Sequence, residues 1–299
     1  MNLRQLEYFT VIAEEGSFTQ AAERLLVAQP SLSQQIAALE AELGGPLLER
    51  LPRGVRLTPA GQSFLPEARA AISHAHHARA AVRMALGLEA GRLEIAVATS
   101  AAAGILPWVL RRWQERHPEI EVGLHEFPHR RVLDDAARDG DGDMAVGSPP
   151  REWQGPVEHL GWEEFVLVLP DGDPLLRRRS VDLAELAERR WVHFVSSHGL
   201  AAVLDIRCAA AGFSPRVAVR TSQVAAAPQF AAAGLGPALV PDHIVADSVK
   251  HLMRPARPRV IRRVVAFARG DWSPITRAFL DTLHEYPWPR KPARAADLG

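Results

Sequence analysis

From Thr58 to about Leu88 the chain carries one long helical pattern, and no other feature constrains its architecture as strongly. Thr58-Pro59 pairs a capping hydroxyl with a residue suited to the first helical turn, and Gly91 follows the end of the pattern. Leu65, Ala68, Ile72, Ala75, Arg79, Val82 and Leu86 alternate steps of three and four, the spacing of a helix-pairing seam. Roughly thirty residues at a rise of about 1.5 Å reach roughly 45 Å. A rod of that length separates two domains, and its seam predicts dimerisation. The alternative, an amphipathic helix packed on its own domain, stays open, because Arg79 interrupts the seam and Pro66 should kink it.

Ahead of the rod lie three short helical patterns with tight turns. Leu3, Leu6, Phe9, Ile12 and Ala13 mark the first, which Gly16 closes. Ser17 caps a second carrying Phe18, Ala21, Ala22 and Leu25. A third runs from about Pro30 through Leu32, Ile36, Leu39 and Leu43, and Gly44-Gly45-Pro46 stops it. Between Leu48 and Thr58, Pro52, Arg53 and Gly54 separate two short extended runs, a hairpin pattern. Three helices and a hairpin make a winged helix-turn-helix.

Its polar chemistry suits DNA. Gln29, Ser31, Ser33, Gln34 and Gln35 put hydrogen-bonding groups at the N-terminal end of the third helix, where a groove-reading helix needs them. Glutamine matches adenine, and Pro30 offers an apolar contact for a thymine methyl. The chain as a whole has no net charge, and lysine occurs only at Lys250 and Lys291, so the cations that hold phosphate must be local arginines. Arg50, Arg53 and Arg56 cluster on the wing.

After Gly91 the pattern changes to short apolar runs alternating with helical segments. Leu93–Ala98 precedes Ile105–Arg116, and Ile120–Phe127 precedes Arg131–Arg138. Met144–Val146, Phe165–Leu169 and Trp191–Val195 continue the series, the last followed by a helix to Ala211. This predicts an α/β domain with a largely parallel sheet.

The segment from Glu14 to Gly61 resembles the DNA-binding segment of the LysR-type transcriptional regulators. The matching parts are Ser17-Phe18-Thr19 with Ala21-Ala22, Gln29-Pro30-Ser31-Leu32-Ser33, Leu39-Glu40, Leu43, Gly45, Leu47-Leu48-Glu49-Arg50 and Leu57-Thr58-Pro59-Ala60-Gly61, in order and without gaps. One departure is Ala28, where the family often carries a capping serine. The resemblance implies an α+β multidomain chain: a winged helix-turn-helix over 1–58, a linker and dimerisation helix over 59–90, and a two-lobed α/β effector domain over 91–299 that resembles periplasmic solute-binding proteins. Lobe I is expected at about 91–163 and 267–299, lobe II at about 164–266, with crossings at Phe165–Leu169 and Val264–Ala268. It also implies that Ser17 and Thr19 join the DNA-contacting set.

In that family a small molecule binds between the lobes, at strand ends and helix N-termini. Thr99-Ser100, Ser148, Ser196-Ser197 and Thr221-Ser222 occupy such positions here, and Phe127 and His129 end a strand beside them. A small effector is implied, with carboxylates among the candidates. The implied partners are a double-stranded operator, a second copy of the chain as homodimer or homotetramer, and RNA polymerase. No cofactor, metal or membrane is implied.

Other motifs carry less. His125-Glu126-Phe127-Pro128-His129 has the zinc-protease spacing, but Pro128 and strand-like alternation forbid the helix that chemistry needs. His74, His76 and His77 fall on different helix faces. Gly234-Leu235-Gly236-Pro237 lacks a third glycine and reads as a helix stop feeding strand Ala238–Val240. Cys208, the single cysteine, excludes an internal disulfide. Neither an export signal nor an apolar spanning run is present, which places the chain in the cytoplasm. The competing class is a solute-binding or enzymatic α/β module whose N-terminus serves assembly, but no catalytic constellation accompanies it.

Overall fold

The computed structural model describes residues 1–51, 54–85, 91–291 and 295–297. Arg53 of the wing, the seam residue Leu86, and the side chains of His76, His77 and Arg79 lie outside the described residues. The N-terminal unit contains α1 (Leu3–Glu15), α2 (Phe18–Arg24), α3 (Gln29–Leu43) and the hairpin β1 (Leu48–Arg50) with β2 (Val55–Leu57). Asn2 and Gln5 form a reciprocal capping box at α1, and Gly16 ends that helix in the left-handed region. Phe9, Ile12, Ala21, Leu32, Ile36 and Leu39 meet in one core, the helical periodicity predicted from sequence.

The hairpin is docked by backbone. Val55 N–H donates to the Gly16 carbonyl at 2.7 Å, and a Cβ at Gly54, whose φ is +95°, would lie 2.7 Å from that same oxygen. Glu40 accepts from the amides of Leu47 (2.8 Å) and Leu48 (3.0 Å), tying α3 to the first wing strand.

Helix α4 (Pro59–Ala85) begins where Thr58 accepts from Gly61 N–H at 3.0 Å, and it continues through Pro66. The expected seam divides along its length. Ala68 is buried, and Leu65 and Ile72 half-buried, against the winged core of their own chain, because α1 covers that face. Val82, beyond that contact, is 57% exposed. The helix also grips the next domain: Arg69 pairs with Asp141 (2.6 Å), Ser73 donates to Asp143 (2.8 Å), and Arg269 donates to the Pro66 carbonyl (2.6 Å).

The effector half has two cores. The first gathers β3 (Arg92–Ala98), α5 (Thr99–Gly104), α6 (Leu106–Arg116), β4 (Glu121–Phe127), α7 (Arg130–Arg138) and β5 (Met144–Gly147), with α10 (Pro274–His284) returning to it. The second gathers β7 (Val181–Asp182), β8 (Arg190–Phe194), α8 (Gly199–Ala210), β9 (Arg216–Thr221), α9 (Ala226–Phe230) and β10 (Ala238–Pro241). Two long strands, β6 (Val157–Val168) and β11 (Met253–Phe267), run through both. The short β12 (Ala295–Asp297) pairs with β11. Cys208 is packed within α8, where burial, with Asp205 nearby, pushes its thiol up to about 12.

The main sheet, ordered β10-β6-β11-β5-β3-β4, is mixed rather than largely parallel. β3 is parallel to β4 and β5, but β11 is antiparallel to β5 and β6, and β6 is antiparallel to β10. Apolar runs give strand position but not direction, and the two crossing strands must run oppositely to leave one lobe and return to it. Leu160 packs in the first core and Phe165 in the second, while Val260 packs in the second core and Val264 in the first. The crossings thus fall at 161–164 and 261–263, each a little before the expected Phe165–Leu169 and Val264–Ala268.

Candidate DNA interface and effector cleft

On α3, Leu32, Ile36 and Leu39 are buried while Gln29, Pro30, Ser31 and Gln34 are exposed, so the helix turns a continuous polar face outward from its N-terminal end. Ser33 and Gln35 are half-buried. Gln29 Nε2 donates to Ser33 Oγ at 3.1 Å, which orders that face without DNA. Ala28 stands at the cap with no side-chain bond, as its sequence implied. Ser17 caps α2 through the amide of Gln20 (3.4 Å), and Thr19 is exposed two residues on, in the first turn.

The arginines divide by role. Arg50 lies over the Phe18 ring at 4.8 Å, held between wing and α2. Arg56 is neutralised by Glu49, its cross-strand partner in the hairpin, at 2.7 Å. Sequence reasoning missed Arg4. It donates to the Tyr8 hydroxyl at 2.6 Å and borders a groove with Ser31 and Gln35. Its closeness to α3 depends on the α1–α3 packing, so no local motif signals it.

Between the two cores lies a cavity of about 170 Å³. Thr99, Ser100, Phe127, His129 and Ser148 from the first lobe line it, all five anticipated. Ser196, Ser197, Thr221 and Ser222 do not. Ser196, Ser197 and Ser222 are exposed, and the Thr221 hydroxyl accepts from Gln223 N–H at 2.9 Å in its own turn. The N-terminus of α8 is capped by the next residue instead, His198, whose Nδ1 accepts from Leu200 N–H at 3.2 Å. Gly199 N–H donates across the cleft to the Pro128 carbonyl at 2.8 Å, a direct bond between lobes.

His198, Arg130 and Arg262 complete the polar side chains of the lining, and Leu133, Val203 and Ile206 are among its apolar residues. His198 is buried, and desolvation together with the cationic Arg262 and the nearby His129 lowers its pKa to about 4. The ring is therefore neutral at pH 7. Because Nδ1 accepts, the proton sits on Nε2, which has no acceptor among the described residues. Arg130 forms no ion pair among the described residues. Burial and the cation Arg151 lower its pKa, Asp134 opposes them, and Arg262 lowers it further. Arg262 itself donates to Glu163 (2.5 Å), whose other oxygen meets His243 Nε2 at 2.9 Å. Burial would raise the Glu163 carboxyl, but Arg262 and His243 together hold it at about 2.

The decoys resolve. His125 lies in strand β4 and bonds Glu94 at 3.0 Å, while His129 caps α7, so the two histidines do not share a helix turn. No cluster suited to a metal occurs among the described residues, and none of their helices is long and apolar enough to cross a membrane. Gly234–Pro237 leads into β10 as a helix stop.

A winged helix-turn-helix tethered by a long helix to a two-lobed binding domain defines a ligand-responsive DNA-binding regulator. The chain belongs to the LysR family of bacterial transcriptional regulators. The model of the lysR-family bacterial regulatory helix-turn-helix protein matches residues 3–62, and that of the LysR substrate binding domain matches 86–288. The chain is 33% identical over 288 residues to the regulator TfdS of Cupriavidus pinatubonensis (strain JMP 134 / LMG 1197), covering 94% of this chain and 97% of that one. Its fold is similar to a variant of full-length OxyR from Pseudomonas aeruginosa, with a TM-score of 0.72, 25% identity and 96% of each chain covered. It is also similar to full-length CbnR in complex with its target DNA, with a TM-score of 0.52, 26% identity, and 95% and 98% covered. The chain is a DNA-binding regulator with a C-terminal effector-binding domain.

Proposed function

We propose that a small carboxylate, bound in the cleft between the lobes, controls how paired winged domains engage an operator of two half-sites. The donor set of the cleft carries this reading. Arg130 and His198 Nε2–H, which have no ion pair and no acceptor among the described residues, and the hydroxyls of Thr99, Ser100 and Ser148 face one small volume beside apolar Leu133, Val203 and Ile206. Unpaired donors at a cation favour an acceptor-rich anion, and the apolar wall favours a hydrocarbon body attached to it. Phe127 and His129 close the first-lobe side.

In this reading Gln29, Pro30, Ser31, Ser33, Gln34 and Gln35 read base edges, while Ser17, Thr19, Arg4, Arg50, Arg53 and Arg56 fix the backbone. The functional units are 1–58, 59–90 and 91–299. Pairing falls to the C-terminal half of α4, where Val82 is exposed, giving a homodimer or a dimer of dimers that works with RNA polymerase in the cytoplasm. Lobe closure on the effector shifts the population of winged-domain spacings.

The test is thermal unfolding of the full-length protein with small carboxylates and their matched amides. A carboxylate should raise Tm where its amide does not, and Arg130→Met should weaken that binding at least tenfold. The reading falls if amides act equally, if no carboxylate in the panel shifts Tm, or if Arg130→Met binds as the wild type does.

A further inference from the structure

A second cavity, of about 190 Å³, shares no lining residue with the cleft. Trp162, Tyr286, Trp288, Asp242, Lys250 and Met253 surround it. In the β6–β11 register Trp162 stands opposite Arg263, so it projects from the face opposite to Glu163 and Arg262. The aromatic walls are fixed before anything binds. Trp288 lies on bare backbone, since a Cβ at Gly161 would fall 2.4 Å from its Cγ. Its indole N–H donates to the Leu283 carbonyl at 3.0 Å. Tyr286 packs edge-on against Trp288 at 4.8 Å and against Trp108 at 5.6 Å.

Several charges around these rings have partners among the described residues. Lys250 is engaged by Asp247 at 3.0 Å, Glu164 by Arg259, and Glu163 by Arg262 and the His243 ring. Asp242 is half-buried and forms no ion pair among the described residues; it accepts only the His243 amide, at 2.9 Å. Burial raises its pKa; the charge and amide of His243 oppose that, and Glu163 and Glu164 add to it. The π-faces can supply a further half of a cation site. Trp162 already carries the Lys291 ammonium 4.3 Å from its ring centre.

We propose that this cavity binds a small organic ammonium cation, with Asp242 as counter-ion and Trp162, Tyr286 and Trp288 as its aromatic walls. Aromatic rings beside a carboxylate recognise such cations through the ring quadrupole and direct ion pairing. An anion would meet Asp242 unshielded, and a neutral guest would leave it without a partner.

The probe is choline, compared with its uncharged isostere 3,3-dimethyl-1-butanol, in calorimetric titrations of the full-length protein. Choline should bind saturably, and the isostere at least tenfold more weakly. Asp242→Asn and, separately, Trp162→Leu should each weaken choline at least tenfold, while Arg130→Met leaves it unchanged, so that this site and the cleft are judged apart. Equal binding of choline and isostere, no saturable choline binding to wild type, or full choline affinity in Asp242→Asn would overturn the proposal. If Asp242→Asn fails to fold, the charge comparison in wild type and Trp162→Leu decide.

Discussion

His198 is a buried imidazole whose protonation is set by its neighbours, and this makes it a measurable pH element. Its pKa is lowered to about 4 by burial, by Arg262 and by His129, whereas an unfolded histidine titrates near 6.5. Between those values the unfolded chain binds a proton that the folded chain refuses, so stability is complete above about pH 6.5 and declines as pH falls toward 4. The loss is on the order of 3 kcal/mol at the acid end. His198→Asn keeps a side-chain acceptor for Leu200 N–H and cannot titrate. Thermal unfolding between pH 7 and 4 should therefore show a shallower decline in this variant, and an unchanged slope would exclude His198 as the group responsible. Legibility at this scale followed chemistry that local sequence encodes. Thr99, Ser100, Ser148, Phe127 and His129 were found because strand ends and helix starts mark cleft positions. His198, Arg130 and Arg262 were not, because an unpaired donor becomes unpaired only when distant segments surround it.

At the scale of elements, α3 begins on Ala28 with no side-chain bond to its free amides. Ala28 has extended dihedrals, φ −71° and ψ 130°, already suited to a capping hydroxyl. Ala28→Ser should stabilise the winged domain by about 1 kcal/mol, read as a higher midpoint of denaturant unfolding. An unchanged midpoint would mean that water satisfies those amides as well as serine would. Helices were legible throughout the winged domain, since three-and-four spacing bounded by Gly16, Gly44 and Thr58 encodes both face and length. The sheet was less so. Only Phe165–Leu169 of β6 stood out as a strand, because Val157–Glu164 mixes charges with apolar residues where the strand lies between lobes. The seam of α4 illustrates the same limit: Leu65, Ala68 and Ile72 fit a partner helix and their own winged core equally well by spacing, and α1 reaches them first.

For the whole molecule, the relation of the two lobes depends on what bridges β6 and β11 at their crossings. Glu163 sits there with its carboxylate buried, held by Arg262 from the other crossing strand and by His243 from the second lobe. Removing one member of a buried, hydrogen-bonded charge set leaves the others desolvated without compensation, at a cost of about 3–5 kcal/mol. Glu163→Gln retains an acceptor but not the charge, so its cost falls toward the lower end, near 3 kcal/mol, a Tm decrease of roughly 6–12 °C for a unit this size. The sign of the pH dependence separates charge loss from simple misfit. A carboxyl held at about 2 when folded and near 4.5 when unfolded contributes fully above pH 4.5, and that contribution fades as pH falls toward 2. The gap in Tm between wild type and Glu163→Gln should thus be widest at pH 7 and narrow below pH 4.5. A gap independent of pH would assign the loss to packing, and no gap at pH 7 would remove this ion pair from the forces that set the lobes against each other.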